Sequence, residues 1–201
     1  LIDADVLPES RLLFKEALVP DVQGRYTQAL RTLSRGMRLL ADESDPASGR
    51  QRAQYMVQYG GIRYAQGRFD DAVDWCRRAI EEAESSGEMD ALAHAYYVLD
   101  VAYVALGRVS EAVYSSRALE IYEDLGDLGK QANVLGNMAG IAFWRGDWDL
   151  SRSLWERVRE VCLKSGALVD AAYGTVGIGE ILVFQGHLDE AEAALREGLR
   201  V

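Results

Sequence analysis

QGRFDDA, residues 66–72, returns along this chain as LGRVSEA (106–112), RGDWDLS (145–151) and QGHLDEA (185–191). The glycines stand at 67, 107, 146 and 186, giving steps of 40, 39 and 40 residues. Self-similarity at such a period marks an array of supersecondary units, each hiding its apolar face against the next. Two residues after each Gly comes a large apolar side chain: Phe69, Val109, Trp148 or Leu188. One further on stand Asp70, Ser110, Asp149 and Asp189, types whose side-chain oxygen caps a helix N-terminus. Two more on is a small residue, Ala72, Ala112, Ser151 or Ala191, where a neighbouring helix can approach closely. The Gly itself suits a turn that needs positive φ. Each block therefore predicts a tight corner between two antiparallel helices.

Apolar residues flank every corner at helical spacing. Upstream, one face carries Met56, Tyr59 and Ile62, and then Tyr96, Leu99 and Ala102 in the next unit. Leu135, Met138 and Ile141, then Thr175, Ile178 and Ile181, continue the series. Downstream, Ala72, Val73, Cys76, Ala79, Ile80 and Ala83 form a stripe of period 3.6, opposite Asp71, Asp74, Arg78 and Glu82. A second glycine series, Gly87, Gly126 and Gly166, falls where these second helices should stop. The 39-residue step traces to the second unit: Ala79 lies 12 residues after its corner Gly, and its equivalent Ala118 only 11. A local change of packing or phase is expected there. The reading is an all-α chain, an α-solenoid of antiparallel helix hairpins.

The run MVQYGGIRYAQGRFDDAVDWCRRAI (56–80) resembles a tetratricopeptide repeat, as do LDVAYVALGRVSEA, MAGIAFWRGDWDLS and IGEILVFQGHLDEA. The standard unit has about 34 residues. Units near 40 with a Gly-containing linker such as DLGDLG are more similar to the long form of bacterial multidomain regulators and kinesin light chains. The resemblance implies a right-handed superhelix. Residues 49–201 divide into repeats at about 49–87, 88–126, 127–166 and 167–201, the last truncated. Residues 1–48 read as a degenerate repeat or cap: GRYTQALRTLSRGMRLL from Gly24 matches a corner plus second helix. Pro20 should break the helix before it, and DESDPASG (42–49) reads as a loop. The start at Leu1 and the stop at Val201 inside a helical pattern suit a piece of a longer protein.

Of the 201 residues, 49% are hydrophobic and 27% charged, with a formal net charge of −10. A surface of that sign repels phosphate backbones, so nucleic acid is not an expected partner. No basic run stands out. Two cysteines, Cys76 and Cys162, fit neither a disulfide framework nor a metal site, which suits a reducing cytoplasmic compartment. No stretch reads as a bilayer span or a signal peptide. His94 and His187 fall at different positions of different units, and abundant carboxylates fit solvated helix faces. GTVGIG (174–179) has the wrong order for a dinucleotide fingerprint and lies inside a first helix, where close helix approach explains it better. No catalytic group, cofactor or metal site is expected.

The resemblance implies that one stripe of the first helices lines a concave groove that receives peptides. Carried onto this sequence, its residues are His94, Tyr97, Val101, Asn133, Asn137, Phe143, Trp144, Tyr173, Glu180 and Phe184. Aromatic and aliphatic anchors in a curved surface suit docking. The same side chains would equally serve as packing between adjacent first helices. The set has two Asn but no Lys or Arg, so an apolar or helical ligand fits better than a peptide carboxylate. The expected partner is a protein or peptide: a separate molecule, another domain of the same protein, or a second copy of the chain. Family analogy points to a regulatory module in a larger bacterial protein, and alternatively to a sensor controlling a fused cyclase or ATPase.

Overall fold

The computed structural model describes residues 6–200. The start of the segment assigned as an N-terminal cap, and Val201, lie outside them. All regular structure among the described residues is helical, as the periodicity predicts. The chain forms two compact units, 1–106 and 107–201.

The first unit holds α1 (Val6–Val22), α2 (Tyr26–Leu39), α3 (Pro46–Ala65), α4 (Phe69–Ser86) and α5 (Met89–Ala105). The second opens with a 3-10 turn at Val109–Glu111. It continues with α6 (Ser115–Asp124), α7 (Leu128–Trp144), α8 (Trp148–Ser165), α9 (Leu168–Gln185) and α10 (Leu188–Gly198). Within each unit, helices adjacent in sequence pack on one another as antiparallel hairpins. This is an all-α solenoid.

Every positive-φ residue among those described is a glycine, and both glycine series are included, with φ between 69° and 82°. At Gly67 the next amide, of Arg68, donates to the Arg63 carbonyl five residues back, at 2.9 Å. The same bond joins Asp147 to Ala142 and His187 to Leu182, each at 2.9 Å. A left-handed residue followed by this long return bond is how a helix closes its last carbonyls. That following residue is also the N-cap of the next helix: Arg68, Asp147 and His187. The glycine and the shared residue, preceded by a C-cap residue at Gln66 and Arg145, thus join two helices. The capping position expected at Asp70, Asp149 and Asp189 is corrected accordingly. These carboxylates sit in the first turn, where they favour the positive end of the helix dipole. At these three corners the one side chain that caps belongs to the shared residue: Asp147 Oδ1 accepts from the Leu150 amide at 3.2 Å.

The small residues after each corner are all buried: Ala29, Ala72, Ala112, Ser151 and Ala191. Their partners stand seven residues before the corner glycine. A Cβ on Gly60 would lie 3.5 Å from the Ala72 carbonyl, and one on Gly179 the same distance from that of Ala191. Ser151 Oγ donates to the Ala139 carbonyl at 2.9 Å. Of the equivalent positions, only Asp100 among 60, 100, 139 and 179 is not Gly or Ala. It belongs to the repeat whose second helix is irregular: residues 112–114 are in no helix, and α6 begins only at Ser115. A 3-10 turn rises about 2.0 Å per residue against 1.5 Å for an α-helix.

Three expectations change. Pro20 lies inside α1, buried in its final turn, so it forfeits one hydrogen bond where the helix is ending anyway. In DESDPASG the helix starts at Pro46, capped by Asp45, whose Oδ1 accepts from the Ala47 and Ser48 amides at 2.9 and 3.1 Å. Proline at the first helical position loses only an amide that had no helical partner. Finally, α9 is an 18-residue helix with a mean hydropathy of 1.2, long and apolar enough to cross a membrane by length and composition. Its apolarity has a packing reason, because it lies between α8 and α10. Its glycines admit them: a Cβ at Gly174 would meet the Arg159 backbone at 3.0 Å, and one at Gly177 the Trp155 ring at 2.5 Å.

Two outcomes test this packing. Ala72→Leu should lower stability by about 1–3 kcal/mol through overpacking at the closest helix approach, read as a fall in Tm. Burial pushes the Cys76 thiol up to about 12. The unfolded thiol loses its proton near 9 while the folded one keeps it, so stability falls as pH rises between those values. Cys76→Ala should remove up to about 1.4 kcal/mol per pH unit from that slope in denaturant titrations at pH 9–12.

Candidate functional site

The expected groove residues divide between the two units. In the first, His94, Tyr97 and Val101 lie along α5, each half-buried. The His94 and Tyr97 rings are 6.5 Å apart and nearly parallel. Burial, and after it the nearby Tyr64 phenol, raise the Tyr97 pKa above the usual phenol range. Tyr64 packs on Phe69 across the α3–α4 corner, at 5.5 Å. These aromatic groups are thus partly taken up by packing.

In the second unit the outcome differs by residue. Asn137 donates to Ser115 Oγ at 3.1 Å and ties α7 to α6. Asn133 and Glu180 are exposed. Tyr173 is 67% exposed, near the start of α9. It lies 11 residues from Phe184, about 16 Å along the helix. Phe143, Trp144 and Phe184 come together at the C-terminal ends of α7 and α9. Phe143 meets Trp144 edge-on at 5.4 Å and Phe184 at 5.0 Å. Trp148, the first residue of α8, joins at 6.1 Å from Phe184. Trp144 is 71% exposed and Phe184 57%.

Four aromatic rings held on three helix ends, with two of them mostly in water, form an amphipathic anchor surface. Polar contacts fix its frame. Gln185 Nε2 donates to Asp149 Oδ1 at 3.0 Å, linking the end of α9 to the start of α8. Arg145 donates to the Val109 and Ala112 carbonyls at 2.8 and 3.3 Å, so its guanidinium is turned to the backbone. Asp147 and Asp149 stand on either side of Trp148 in the chain. Trp148 was legible as a large apolar corner residue, and its neighbours at 143 and 144 were the signal that the corner carries a cluster.

Among the described residues, no group of three His, Cys, Asp or Glu side chains is placed to hold a metal ion. His187 faces Glu190 at 3.3 Å in the open first turn of α10.

Comparison with known proteins finds two matches to tetratricopeptide-repeat family models, at residues 53–78 and 130–201. These two segments are tetratricopeptide repeats. The structure of BtubC (BKLC) from P. vanneervenii superposes with a TM-score of 0.80 at 17% identity, over 96% of this chain and 85% of that one. A Podosopora anserina protein described as a kinesin light chain with nearly identical TPR-like repeats gives 0.74 at 15%, over 97% and 95%. NprR in complex with its cognate peptide NprX gives 0.69 at 16%, over 99% of this chain and 57% of NprR. No curated protein sequence matches. Tetratricopeptide repeats are typically binding scaffolds, and this chain is a protein- or peptide-binding repeat module.

Trp144→Ala should change stability by no more than about 0.5 kcal/mol, since the ring is mostly solvated. An unchanged denaturation midpoint, with far-ultraviolet dichroism of the wild type, checks this. A collapse of the helical signal would place the ring in the core.

Proposed function

We propose that the chain docks a peptide segment on the aromatic cluster of Phe143, Trp144, Trp148 and Phe184, as the regulatory repeat region of a larger bacterial cytoplasmic protein. The observation that carries the docking surface is the exposure of joined rings at a corner whose backbone is already satisfied. Such rings gain by losing water and lose little entropy in doing so. The partner chemistry follows from what surrounds them. Asp147 and Asp149 flank Trp148 in the chain, which as a whole carries a net charge of −10. A segment with a large apolar side chain and flanking Lys or Arg is complementary in both respects. The remaining groove residues, His94, Tyr97, Val101, Asn133, Asn137, Tyr173 and Glu180, are secondary in this reading.

The regulatory context draws support from the long repeat and from the fold shared with NprR, which was solved with a peptide. That same likeness supports a second reading, a peptide-sensing domain controlling a fused effector such as a cyclase or ATPase.

A random-peptide display selection tests the docking surface. Recovered peptides should be rich in aromatic or aliphatic residues next to Lys or Arg. They should bind Trp144→Ala and Phe184→Ala variants at least about tenfold more weakly, and lose affinity with added salt. Peptides that bind both variants as well as the wild type would refute it.

A further inference from the structure

Residues 23–40, QGRYTQALRTLSRGMRLL, hold Arg25, Arg31, Arg35 and Arg38 and no acidic residue, in a chain whose acidic side chains outnumber its Lys and Arg by 32 to 22. The fold sets one face of this basic helix, α2, opposite the α3–α4 corner. A cleft of about 700 Å³ opens there. Its polar lining is Thr27, Arg31, Ser34, Arg63, Gln66 and Arg68, with Leu30 and the buried Tyr59 as an apolar wall. No carboxylate lines it.

The three guanidiniums are incompletely used. Arg31 is exposed and forms no ion pair among the described residues. Arg63 Nη1 donates to Gln66 Oε1 at 2.8 Å, but its Nε is buried without a hydrogen-bond partner. The nearest carboxylate oxygen, Asp71 Oδ2, is 3.9 Å away and already held by Arg68. That distance is too long for a hydrogen bond, and a buried donor left unmade is costly. Against three positive charges there is one negative, so the site keeps an excess of two.

We propose that this cleft binds a phosphoryl group carried on a small organic molecule. A phosphate dianion matches the charge excess, and its oxygens accept from guanidiniums and from the Thr27 hydroxyl, while the Ser34 hydroxyl is engaged by that of Tyr59. The volume falls in the range of small-molecule sites, about 300–1,000 Å³. Leu30 and Tyr59 give the carrier an apolar surface that a bare ion would not use. A nucleic acid fits poorly, because three cations in one cleft cannot offset repulsion by the rest of the chain. The cleft belongs to the first unit and shares no residue with the aromatic cluster, so either site can fail without the other.

Titration calorimetry at fixed ionic strength tests it, with ribose 5-phosphate and inorganic phosphate as probes. Both should bind and compete, the ester more tightly, and the Thr27 and Gln66 amides of the wild type should shift in NMR spectra. Arg31→Gln with Arg68→Gln should weaken both at least about tenfold. Arg117→Gln, which removes one charge at an exposed position of α6, should leave them unaltered. The amide shifts keep the test decisive if the double variant folds poorly. No saturation by either probe below about 10 mM, a range weaker than ordinary metabolite sites, overturns the proposal. So does equal weakening by Arg117→Gln, and inorganic phosphate binding as tightly as the ester removes the organic carrier.

Discussion

The close approach of two helices at residues without side-chain bulk is the constraint on which the hairpins rest. Gly60 lies on Ala72, Gly179 on Ala191, and Ser151 reaches the Ala139 carbonyl. At that separation a connection of two or three residues, built on one left-handed glycine and one shared residue, is long enough. The return bond from the shared residue closes the first helix while its own carbonyl opens the second. Corner, stripe and period then follow together. A larger side chain at the contact forces the helices apart, and the short link no longer spans them.

The 3-10 turn and short α6 show the same rule from the other side. The unit that departs from small residues at the contact position, with Asp100, is also the unit one residue short and the one without a continuous second helix. The division into two compact units falls between residues 106 and 107.

Corners also explain where unsatisfied surface collects. Helix middles are covered by neighbouring helices, whereas helix ends emerge beside solvent. Aromatic residues at the ends of α7 and α9 and the start of α8 meet without being enclosed. Arginines at the end of α3 and the start of α4 meet those of α2 in the same way. The aromatic surface lies at one end of the hairpins, unlike the expected stripe along the first helices, which would run from Tyr173 past Glu180.

Sequence alone determined the helical class, the corner glycines, the small contact residues and the disturbed second repeat. All of these are short-range: φ at a glycine, the 3.6-residue period and a fixed spacing depend on neighbours in the chain. It placed the N-caps two residues late because the capping types Asp70, Asp149 and Asp189 suit the first turn as well as the cap. Pro20 and Asp45–Pro46 were misplaced for a similar reason, since a proline is tolerated at either end of a helix. Only the tertiary structure decided which aromatic side chains meet and which are absorbed, leaving Trp144 in water while Asn137 ties α7 to α6. It alone brought Arg31 to Arg63 and Arg68. These depend on how far one helix end projects past another, a distance set by packing between repeats and carried by no local pattern.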